Sequence, residues 1–422
     1  MKHRFHITTY GCQMNDYDSL VIESILLSEG YEKALSIDDA SLVIVNGCSV
    51  RKHAEDRAMG FLSSVRKESR QEKKIVLAGC LARSVKNIPD FVDIAVPPTE
   101  YKNLLEILRN NRNSVEIKSE GDYTGISIKS GITLLISISK GCDNFCSYCI
   151  VPFLRGKEIS FSSESIIEQI KKSVNENTRE ILLMGQNVNS YIYKGLDFTS
   201  LVSMVLSEFK GMRVRFVTSH PKDFSIKLIE IMSDNKYLCS HLHFPLQSGS
   251  DRMLSLMHRK YTLKEFKSLV ELSRTILPDI AITTDVMVGL PKESKDDFNE
   301  TLNALRDIRF DDAFMYKYSS RRFTLSRYID SPSSDEGLSR LKELIDIQKK
   351  IKKEKITALK GKLLNVLVER KSKNRDTEYY GRDSGNRNVI VKGKSVEKGK
   401  TYNVRINEIC GLTPTGEKTE EK

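Results

Sequence analysis

Three cysteines lie close together near the middle of the chain, in the segment GCDNFCSYC at residues 141–149. Their Cys-x-x-x-Cys-x-x-Cys spacing lets three thiolates hold three irons of a [4Fe–4S] cluster, whereas full cysteine ligation needs four. The fourth iron is then open to a small molecule. A zinc knuckle is the alternative, but zinc prefers four closed ligands, and no second cysteine pair stands nearby. The spacing therefore predicts that Cys142, Cys146 and Cys149 are metal ligands and catalytic residues.

Three further cysteines, Cys12, Cys48 and Cys80, each follow a glycine at the end of a predicted strand. The three strands are RFHITTY, ASLVIVN and KKIVLA. In an open parallel sheet the strands end at one edge, which is where such folds bind ligands. Three buried structural cysteines are the alternative, because free cysteine is often a core residue. The repetition at three strand ends favours a second set of metal ligands.

The elements that position these cysteines predict an α/β protein. The first segment alternates strands and helices, which predicts a doubly wound parallel sheet. The middle segment contains six strand-like runs with helices between them, which predicts a partial (β/α) barrel with its active site at the carboxyl ends of the strands. The last segment reads as short strands with Gly and Asn turns, typical of a small antiparallel barrel. The predicted domains are residues 1–118, 128–358 and 359–418.

Composition and charge limit the class of protein. The chain has 422 residues, 39% of them hydrophobic, and its formal net charge is +11. The stretch 362–405 holds twelve Lys and Arg against five Asp and Glu. A basic surface binds phosphates through counterion release, although a merely solvated surface is the alternative. The N-terminus has no secretory signal and no apolar run is long enough to span a bilayer, so we expect a cytoplasmic protein with reduced cysteines and no membrane partner.

The motifs around both cysteine sets resemble the methylthiotransferases of the radical S-adenosylmethionine (SAM) superfamily, over nearly the whole chain. The first set lies in TYGCQMNDYDS (9–19), NGCSVRKHAEDR (46–57) and LAGCLA (77–82), and the second in GCDNFCSYCIVPFLRGKEIS (141–160). The other matching motifs are LMGQNVNSY (183–191), RFVTSHPKDFS (215–225), HFPLQSGSDRMLSLMHRKYT (243–262), DVMVGLP (285–291) and YSSRRFT (318–324). Phe323 stands in the last motif where the family usually has glycine. The tail resembles a TRAM domain, an RNA-binding barrel.

The resemblance implies two [4Fe–4S] clusters and SAM as cofactors. Cys142, Cys146 and Cys149 would hold the cluster that cleaves SAM to a 5′-deoxyadenosyl radical. Cys12, Cys48 and Cys80 would hold an auxiliary cluster that carries the sulfur to be transferred. Gly185 and Gln186 fall where this superfamily binds the methionine end of SAM.

The resemblance also implies the reaction and its partners. The two most discriminating motifs, at 183–191 and 215–225, resemble the branch that methylthiolates C2 of N6-dimethylallyladenosine beside the anticodon of tRNA. SAM would act both as methyl donor and as radical source. The implied partners are a tRNA anticodon stem-loop, an electron donor such as flavodoxin or ferredoxin, and a sulfur donor. The alternatives are the same chemistry on threonylcarbamoyl-adenosine or on an Asp of a ribosomal protein, and a non-enzymatic metal-binding, RNA-binding protein.

Four further expectations concern two individual residues and the C-terminal part of the chain. Arg155 follows the central cysteines and either contacts phosphate or a cluster edge, or is simply an exposed arginine. Asn15 either donates a hydrogen bond to a cluster sulfur or caps a helix, and the cap is favoured. The chemistry of the cysteines needs none of the basic tail, so we expect a chain truncated after Leu359 to keep its clusters and bind RNA weakly. The last residues, TGEKTEEK, are expected to be disordered.

Overall fold

The N-terminal sheet has five parallel strands in the order β2-β1-β3-β4-β5, in a computed structural model that describes residues 3–68, 72–111, 126–373 and 375–419. The strands are β1 (Arg4–Tyr10), β2 (Glu32–Lys33), β3 (Leu42–Gly47), β4 (Lys74–Ala78) and β5 (Ile94–Val96). The helices are α1 (Gln13–Ser28), α2 (Lys52–Glu68), α3 (Cys80–Ser84) and α4 (Leu104–Asn110). In the register, Tyr10 pairs with Gly47 and Asn46 with Ala78, so the carboxyl ends of β1, β3 and β4 are level.

The hydrophobic pattern of this sheet explains why it is covered on both faces. In β3, Ile44 packs with α1 and α4, while Val43 and Val45 pack with α2 and α3. A strand that is apolar on both faces is typical of a parallel sheet between helical layers. The predicted doubly wound sheet is confirmed.

The central part is built on an arc of six parallel strands with helices between them, and it also contains two short antiparallel strand pairs. The strands are β6 (Thr133–Ser137), β7 (Ser139–Lys140), β8 (Ile159–Ser160), β9 (Glu180–Met184), β10 (Ile192–Tyr193), β11 (Leu196–Asp197), β12 (Arg213–Phe216), β13 (His241–His243), β14 (Ala281–Val288) and β15 (Asp312–Lys317). The helices are α5 (Val151–Arg155), α6 (Ser163–Ser173), α7 (Phe198–Glu208), α8 (Ile226–Asp234), α9 (Asp251–Leu256), α10 (Leu263–Ile276), α11 (Lys295–Ile308) and α12 (Ser334–Thr357).

Two three-stranded parallel sheets, β6-β9-β12 and β13-β14-β15, make up this arc. They are joined where the amide of Val214 donates to the carbonyl of Tyr237 at 2.8 Å and the carbonyl of Val214 accepts from Cys239 at 2.9 Å. The predicted partial (β/α) barrel is therefore confirmed, with its strands in sequence order.

The N-terminal unit packs directly against the barrel through β9, whose side chains alternate between two cores. Ile181 and Leu183 join the core that contains α6 and α7. Leu182 and Met184 point the other way and join the core built on α1 and the first sheet. Because successive strand residues face opposite sides, one strand serves both units. The first two units thus share a buried apolar surface.

The C-terminal unit is a closed barrel in the order β16-β17-β18-β20-β19. Its strands are β16 (Leu363–Lys371), β17 (Glu378–Asp383), β18 (Asn388–Lys392), β19 (Thr401–Cys410) and β20 (Thr413–Lys418). Four of the pairings are antiparallel, and β18 pairs with β20 in parallel. The expectation of disorder from Thr415 onward is wrong for the first residues, because Thr415 to Lys418 close the barrel.

Ion pairs fasten this C-terminal barrel to the amino ends of β9 and β15 in the central part. The Glu180 carboxylate, fully buried, accepts from Arg215 at 3.2 Å and from Arg382 at 2.7 Å. Arg387 pairs with Asp311 at 3.0 Å. Arg382 and Arg387 of this barrel thus both face protein carboxylates. This packing favours a tail that stabilises the central barrel, because its removal would leave Glu180 buried with fewer partners. That a chain truncated after Leu359 keeps its clusters stays a prediction.

No helix in the described ranges combines the length and apolar character that a bilayer crossing requires.

Candidate active site

The central cysteines lie on the loop that follows β6 and β7 and ends in the short helix α5. The amide side chain of Asn144 donates to Cys142 Sγ at 3.5 Å, and the backbone amide of Cys149 donates to the Cys146 carbonyl at 2.9 Å. This turn gathers the three thiols on one loop at the carboxyl edge of the barrel, as the spacing predicts. Burial raises the pKa of Cys142 and raises that of Cys149 to about 12. Metal loading at this loop must therefore release protons.

Arg259 is a further residue of this site that was not singled out from the sequence. Its guanidinium is buried and donates to Cys146 Sγ at 3.5 Å, to the Pro245 carbonyl at 3.0 Å and to the Tyr261 hydroxyl at 3.0 Å. Hydrogen bonds to a metal-ligating sulfur tune its electronic character. Arg259 follows the short helix α9, more than a hundred positions from Cys146, so local spacing gave no signal for it.

The N-terminal cysteines lie just beyond the level ends of β1, β3 and β4, as predicted. The backbone amide of Cys48 donates to the Tyr10 carbonyl at 2.8 Å, which brings Cys48 beside Cys12. The thiols of Cys12 and Cys48 share a hydrogen bond that lowers the pKa of Cys12 and raises that of Cys48. Cys80 opens α3 on the next strand and is buried. The structure therefore brings the three thiols to one edge of the sheet.

Glycine precedes these cysteines because the strand ends approach each other closely. A Cβ on Gly11 would lie 2.9 Å from the Cys48 Cβ and 2.3 Å from Asn15 Oδ1. Gly79 has φ of +85°, and a Cβ there would lie 2.2 Å from Asn46 Oδ1. The glycines thus make room for a buried polar network of the protein itself, not only for a ligand.

Two asparagines form that network and hold the edge in place. Asn15 Oδ1 accepts from the Cys12 amide at 3.3 Å and from the Cys12 thiol at 3.4 Å. Its Nδ2 donates to Asn46 Oδ1 at 2.9 Å. The favoured reading of Asn15 as a helix N-cap is wrong, because Cys12 occupies that position and Asn15 lies three residues into α1. A buried, fully bonded Asn15 fixes the backbone of Cys12.

Arg155 links the helix that follows the central cysteines to the N-terminal cysteine set. Its side chain is buried, and its Nε donates to Cys80 Sγ at 3.3 Å while its Nη2 donates to Asp18 at 2.6 Å. Arg155 lies at the end of α5, directly after the central cysteines, whereas Cys80 and Asp18 belong to the N-terminal unit. Of the alternatives for this residue, a contact at the edge of the second cysteine set is the one that the geometry matches, and surface exposure is wrong.

Gly185 and Gln186 follow the carboxyl end of β9, within the barrel. A Cβ on Gly185 would lie 2.7 Å from Ser139 Oγ, so a larger residue does not fit. Among the described residues, several buried polar side-chain atoms at strand ends have no hydrogen-bond partner. They include Ser139 Oγ in β7, Ser219 Oγ after β12 and Gln247 Oε1 after β13. Buried polar groups are normally satisfied, so these atoms mark where a polar ligand would bond.

A polar cluster lines the other half of the barrel. His243 Nε2 lies 3.2 Å from an Asp285 carboxylate oxygen, on neighbouring strands β13 and β14. On β15, the Tyr316 hydroxyl accepts from Arg51 of the N-terminal unit at 2.8 Å. Burial first, then the charges of Asp285 and Cys12, raise the pKa of Tyr316 to about 12, with Arg51 opposing. The N-terminal cysteine edge therefore lies over this part of the barrel.

The loop after β15 contacts the segments that carry both cysteine sets. The amide of Ser326 donates to the Ser147 carbonyl at 2.9 Å, inside the central cysteine loop. Arg321 reaches the other way and donates to the Val50 carbonyl at 3.1 Å and to Glu55 at 3.1 Å, just after Cys48. One loop thus touches both cysteine-bearing segments.

The donor chemistry of both sites fits iron–sulfur clusters. A cluster spreads its irons over separate thiolates, and each site offers three thiols. Three thiols without a fourth, with arginine or asparagine donors to the sulfurs, suit a cluster that keeps one iron open.

Comparison with known proteins agrees with this geometry. Residues 136–305 match the radical SAM superfamily, and residues 4–91 match the uncharacterized protein family UPF0004. Among solved structures, the radical SAM methyltransferase TsrM from Kitasatospora setae superposes with a TM-score of 0.56 at 12% identity, covering 78% of this chain and 74% of that one. At this identity the likeness concerns the fold.

Curated relatives match over almost the full length. The chain is 36% identical to a protein of Parabacteroides distasonis, covering 100% of this chain and 96% of the relative. It is 38% identical to a protein of Clostridium novyi over 98% of this chain and 96% of the relative, and 37% identical to one of Endomicrobium trichonymphae over 95% and 96%. All three carry the same name, and the chain therefore belongs to the tRNA-2-methylthio-N(6)-dimethylallyladenosine synthase family of radical SAM enzymes.

Proposed function

We propose that this enzyme replaces the hydrogen at C2 of N6-dimethylallyladenosine in tRNA with a methylthio group. The observation that carries the proposal is Arg155, which ends the helix after the radical cysteines and donates to Cys80 of the other triad. Both triads lie at the carboxyl ends of parallel strands, where such folds bind ligands. The full-length relatives supply the identity of the nucleoside.

We assign Cys142, Cys146 and Cys149 to the cluster that binds SAM, and Cys12, Cys48 and Cys80 to a second [4Fe–4S] cluster. When bound, these groups and SAM supply an electron, a 5′-deoxyadenosyl radical, a methyl group and a transferable sulfur. Arg259 donates to Cys146 and Arg155 to Cys80, so each set has one buried arginine that stabilises negative charge on a sulfur. Each contact is therefore expected to tune the reduction potential of its own cluster.

The chain's own polar groups bind and orient the organic ligands. Gly185 and Gln186, with the unpartnered Ser139 Oγ, offer a narrow polar edge for the methionine end of SAM. The His243–Asp285 pair and Tyr316 lie below the N-terminal cysteine edge and suit the heteroatoms of an adenine. An adenosine in a single-stranded loop can be turned out into such a chamber, whereas a paired base cannot.

The remaining partners follow from the chemistry. Each SAM cleavage consumes an electron and each transfer consumes a sulfur, so the enzyme works with an electron donor such as flavodoxin or ferredoxin and with a sulfur donor. Reduced thiols and a tRNA substrate agree with a cytoplasmic location.

The test uses the anaerobic, fully loaded enzyme with an anticodon stem-loop. A stem-loop bearing dimethylallyladenosine should yield its 2-methylthio derivative, measured by mass spectrometry of the nucleosides, and one bearing unmodified adenosine should react far more slowly. With deuterium at C2, the label should appear in 5′-deoxyadenosine. Equal rates on both stem-loops, or product only from the threonylcarbamoyl form or a ribosomal protein, would contradict the proposed substrate.

A further inference from the structure

Three phenylalanine rings form a continuous exposed cluster beside the central cysteines. Phe145 and Phe153 lie 6.3 Å apart in an edge-to-face arrangement, and Phe153 and Phe323 stack with their centroids 5.8 Å apart and planes at 27°. The rings are 54%, 38% and 41% exposed, respectively. Contiguous exposed aromatic side chains on a folded protein mark an interaction surface.

Backbone strain shows that the cluster is not an accident of loop packing. Phe323 has φ of +71° and Phe145 has φ of +45°, a region that non-glycine residues rarely adopt. Neither residue gains burial in return, since both rings face solvent. Strain that is kept without a packing benefit points to a role for the side chain.

The position of the cluster is set by contacts on both sides. Phe145 lies inside the central cysteine loop, between Cys142 and Cys146. The segment that carries Phe323 is fastened to Ser147 through the amide of Ser326, and to the N-terminal unit through Arg321. The aromatic cluster is therefore held at the rim of the candidate active site and does not depend on a mobile tail.

Charge identifies the partner. Arg322 lies over the Phe323 ring, with its Cζ 4.5 Å from the centroid, and Arg322 itself is exposed. An arginine stacked on an open aromatic ring offers both a π surface and a positive charge, which suits a nucleobase with its phosphate. A purely apolar partner would gain nothing from that charge. The net charge of +11 agrees with a polyanionic partner.

We propose that Phe145, Phe153 and Phe323, with Arg322, form a stacking platform for unpaired nucleobases that flank the modified adenosine. This inference rests on the proposed RNA substrate and assigns part of its recognition to the rim of the barrel. The platform binds unpaired bases without reading their identity, because every base offers a π face.

The test replaces Phe323 with glycine in the loaded, full-length enzyme. Phe323→Gly removes one ring and also relieves the positive φ, so the melting temperature should stay equal or rise. Affinity for an unmodified anticodon stem-loop should fall about fivefold or more, the loss expected for one base–aromatic stack. The slope of log affinity against log salt should not change, because no phosphate contact is removed.

A matched control is Tyr237→Ala. Tyr237 is an exposed ring, 37% accessible, with Lys236 5.4 Å from its centroid, but it lies before β13, at the opposite end of the strands. Its loss should leave RNA affinity unchanged. An equal effect of both variants would overturn the platform.

A stem-loop with abasic positions beside the target adenosine completes the test. The abasic RNA should bind the wild type more weakly, and Phe323→Gly should then add little further loss, because both changes remove the same stack. Fully additive losses would overturn the proposal. So would unchanged RNA affinity combined with slower reduction by a flavodoxin, which would assign the surface to the electron donor. Nucleoside analysis of a stem-loop bearing dimethylallyladenosine, incubated with the loaded enzyme, reports the proposed methylthiolation independently of binding.

Discussion

The two cysteine triads reach similar surroundings by different routes. Cys142, Cys146 and Cys149 belong to one loop, and their geometry depends on a local turn. The other triad is assembled by a sheet, from three strand ends that the parallel register makes level. A local triad keeps its spacing wherever its loop is intact. A dispersed triad exists only when the sheet has folded, so metal bound by it would report on the fold of the N-terminal unit.

The largest expected effect comes from the local triad. Replacing Cys142, Cys146 and Cys149 with alanine should reduce 5′-deoxyadenosine formation to background, because the radical site then has no thiolate ligands. Chromatography of the SAM cleavage products under anaerobic reduction measures this. Cys410→Ser, an exposed cysteine of the C-terminal barrel, is the control and should behave as wild type. Cleavage at the wild-type rate in the triple variant would mean that the radical SAM assignment of this loop is wrong.

Replacing the dispersed triad should separate SAM cleavage from methylthio transfer, which replacing the local triad cannot do. With Cys12, Cys48 and Cys80 replaced by alanine, iron and sulfide content should fall by one cluster, while SAM cleavage continues. Methylthio product should be lost, since no second site remains to carry the sulfur. Iron analysis and nucleoside mass spectrometry give both readouts on one sample. An unchanged iron content, or methylthio product formed at the normal rate, would contradict the assignment of different roles to the two triads.

Replacing Arg155, which contacts Cys80, should give a smaller and more specific effect. Arg155→Met leaves the Asp18 carboxylate buried without its partner, and breaking such a pair costs about 3–5 kcal/mol of unfolding free energy. Adding Asp18→Asn should recover most of that stability but not the hydrogen bond to Cys80. The potential of the second cluster should therefore stay shifted in the double variant while that of the radical cluster does not.

An exposed ion pair provides the reference for this loss of unfolding free energy. Lys171 and Glu208 pair at 2.8 Å with both side chains about half exposed, and Lys171→Ala should cost no more than about 1 kcal/mol. Denaturant titration compares the two variants. If Arg155→Met were as stable as Lys171→Ala and both cluster potentials were unaltered, the role of Arg155 as a link to the second cysteine set would be contradicted.

Features that repeat over short distances in the sequence, or that follow the periodicity of strands, could be predicted. The six strands of the barrel, the strand-end position of Cys12, Cys48 and Cys80, and the closed C-terminal barrel were all predicted. Arg259 and the Asp18 partner of Arg155 were missed, because their contacts join distant segments and leave no local spacing. Asn15 was misread because helix α1 begins at Gln13, directly after Cys12, so the cysteine itself takes the capping position.

The tail shows why charge counting has a limit. The surplus of basic residues after Lys362 suggested a surface for phosphate, yet Arg382 and Arg387 neutralise carboxylates of the barrel. A net count cannot tell a solvent-facing arginine from a buried one. Only the pairing partners, which lie far away in the sequence, make that distinction.

The Glu180–Arg382 contact also sets an order of events during synthesis. The two residues are 202 positions apart, and Glu180 is fully buried at the start of β9. A ribosome that has released the N-terminal sheet and the whole barrel has still not released the arginine that helps neutralise this carboxylate. Nascent chains generally fold from the amino terminus as units. Here the amino end of β9 can reach its final state only after the C-terminal barrel has emerged from the ribosome.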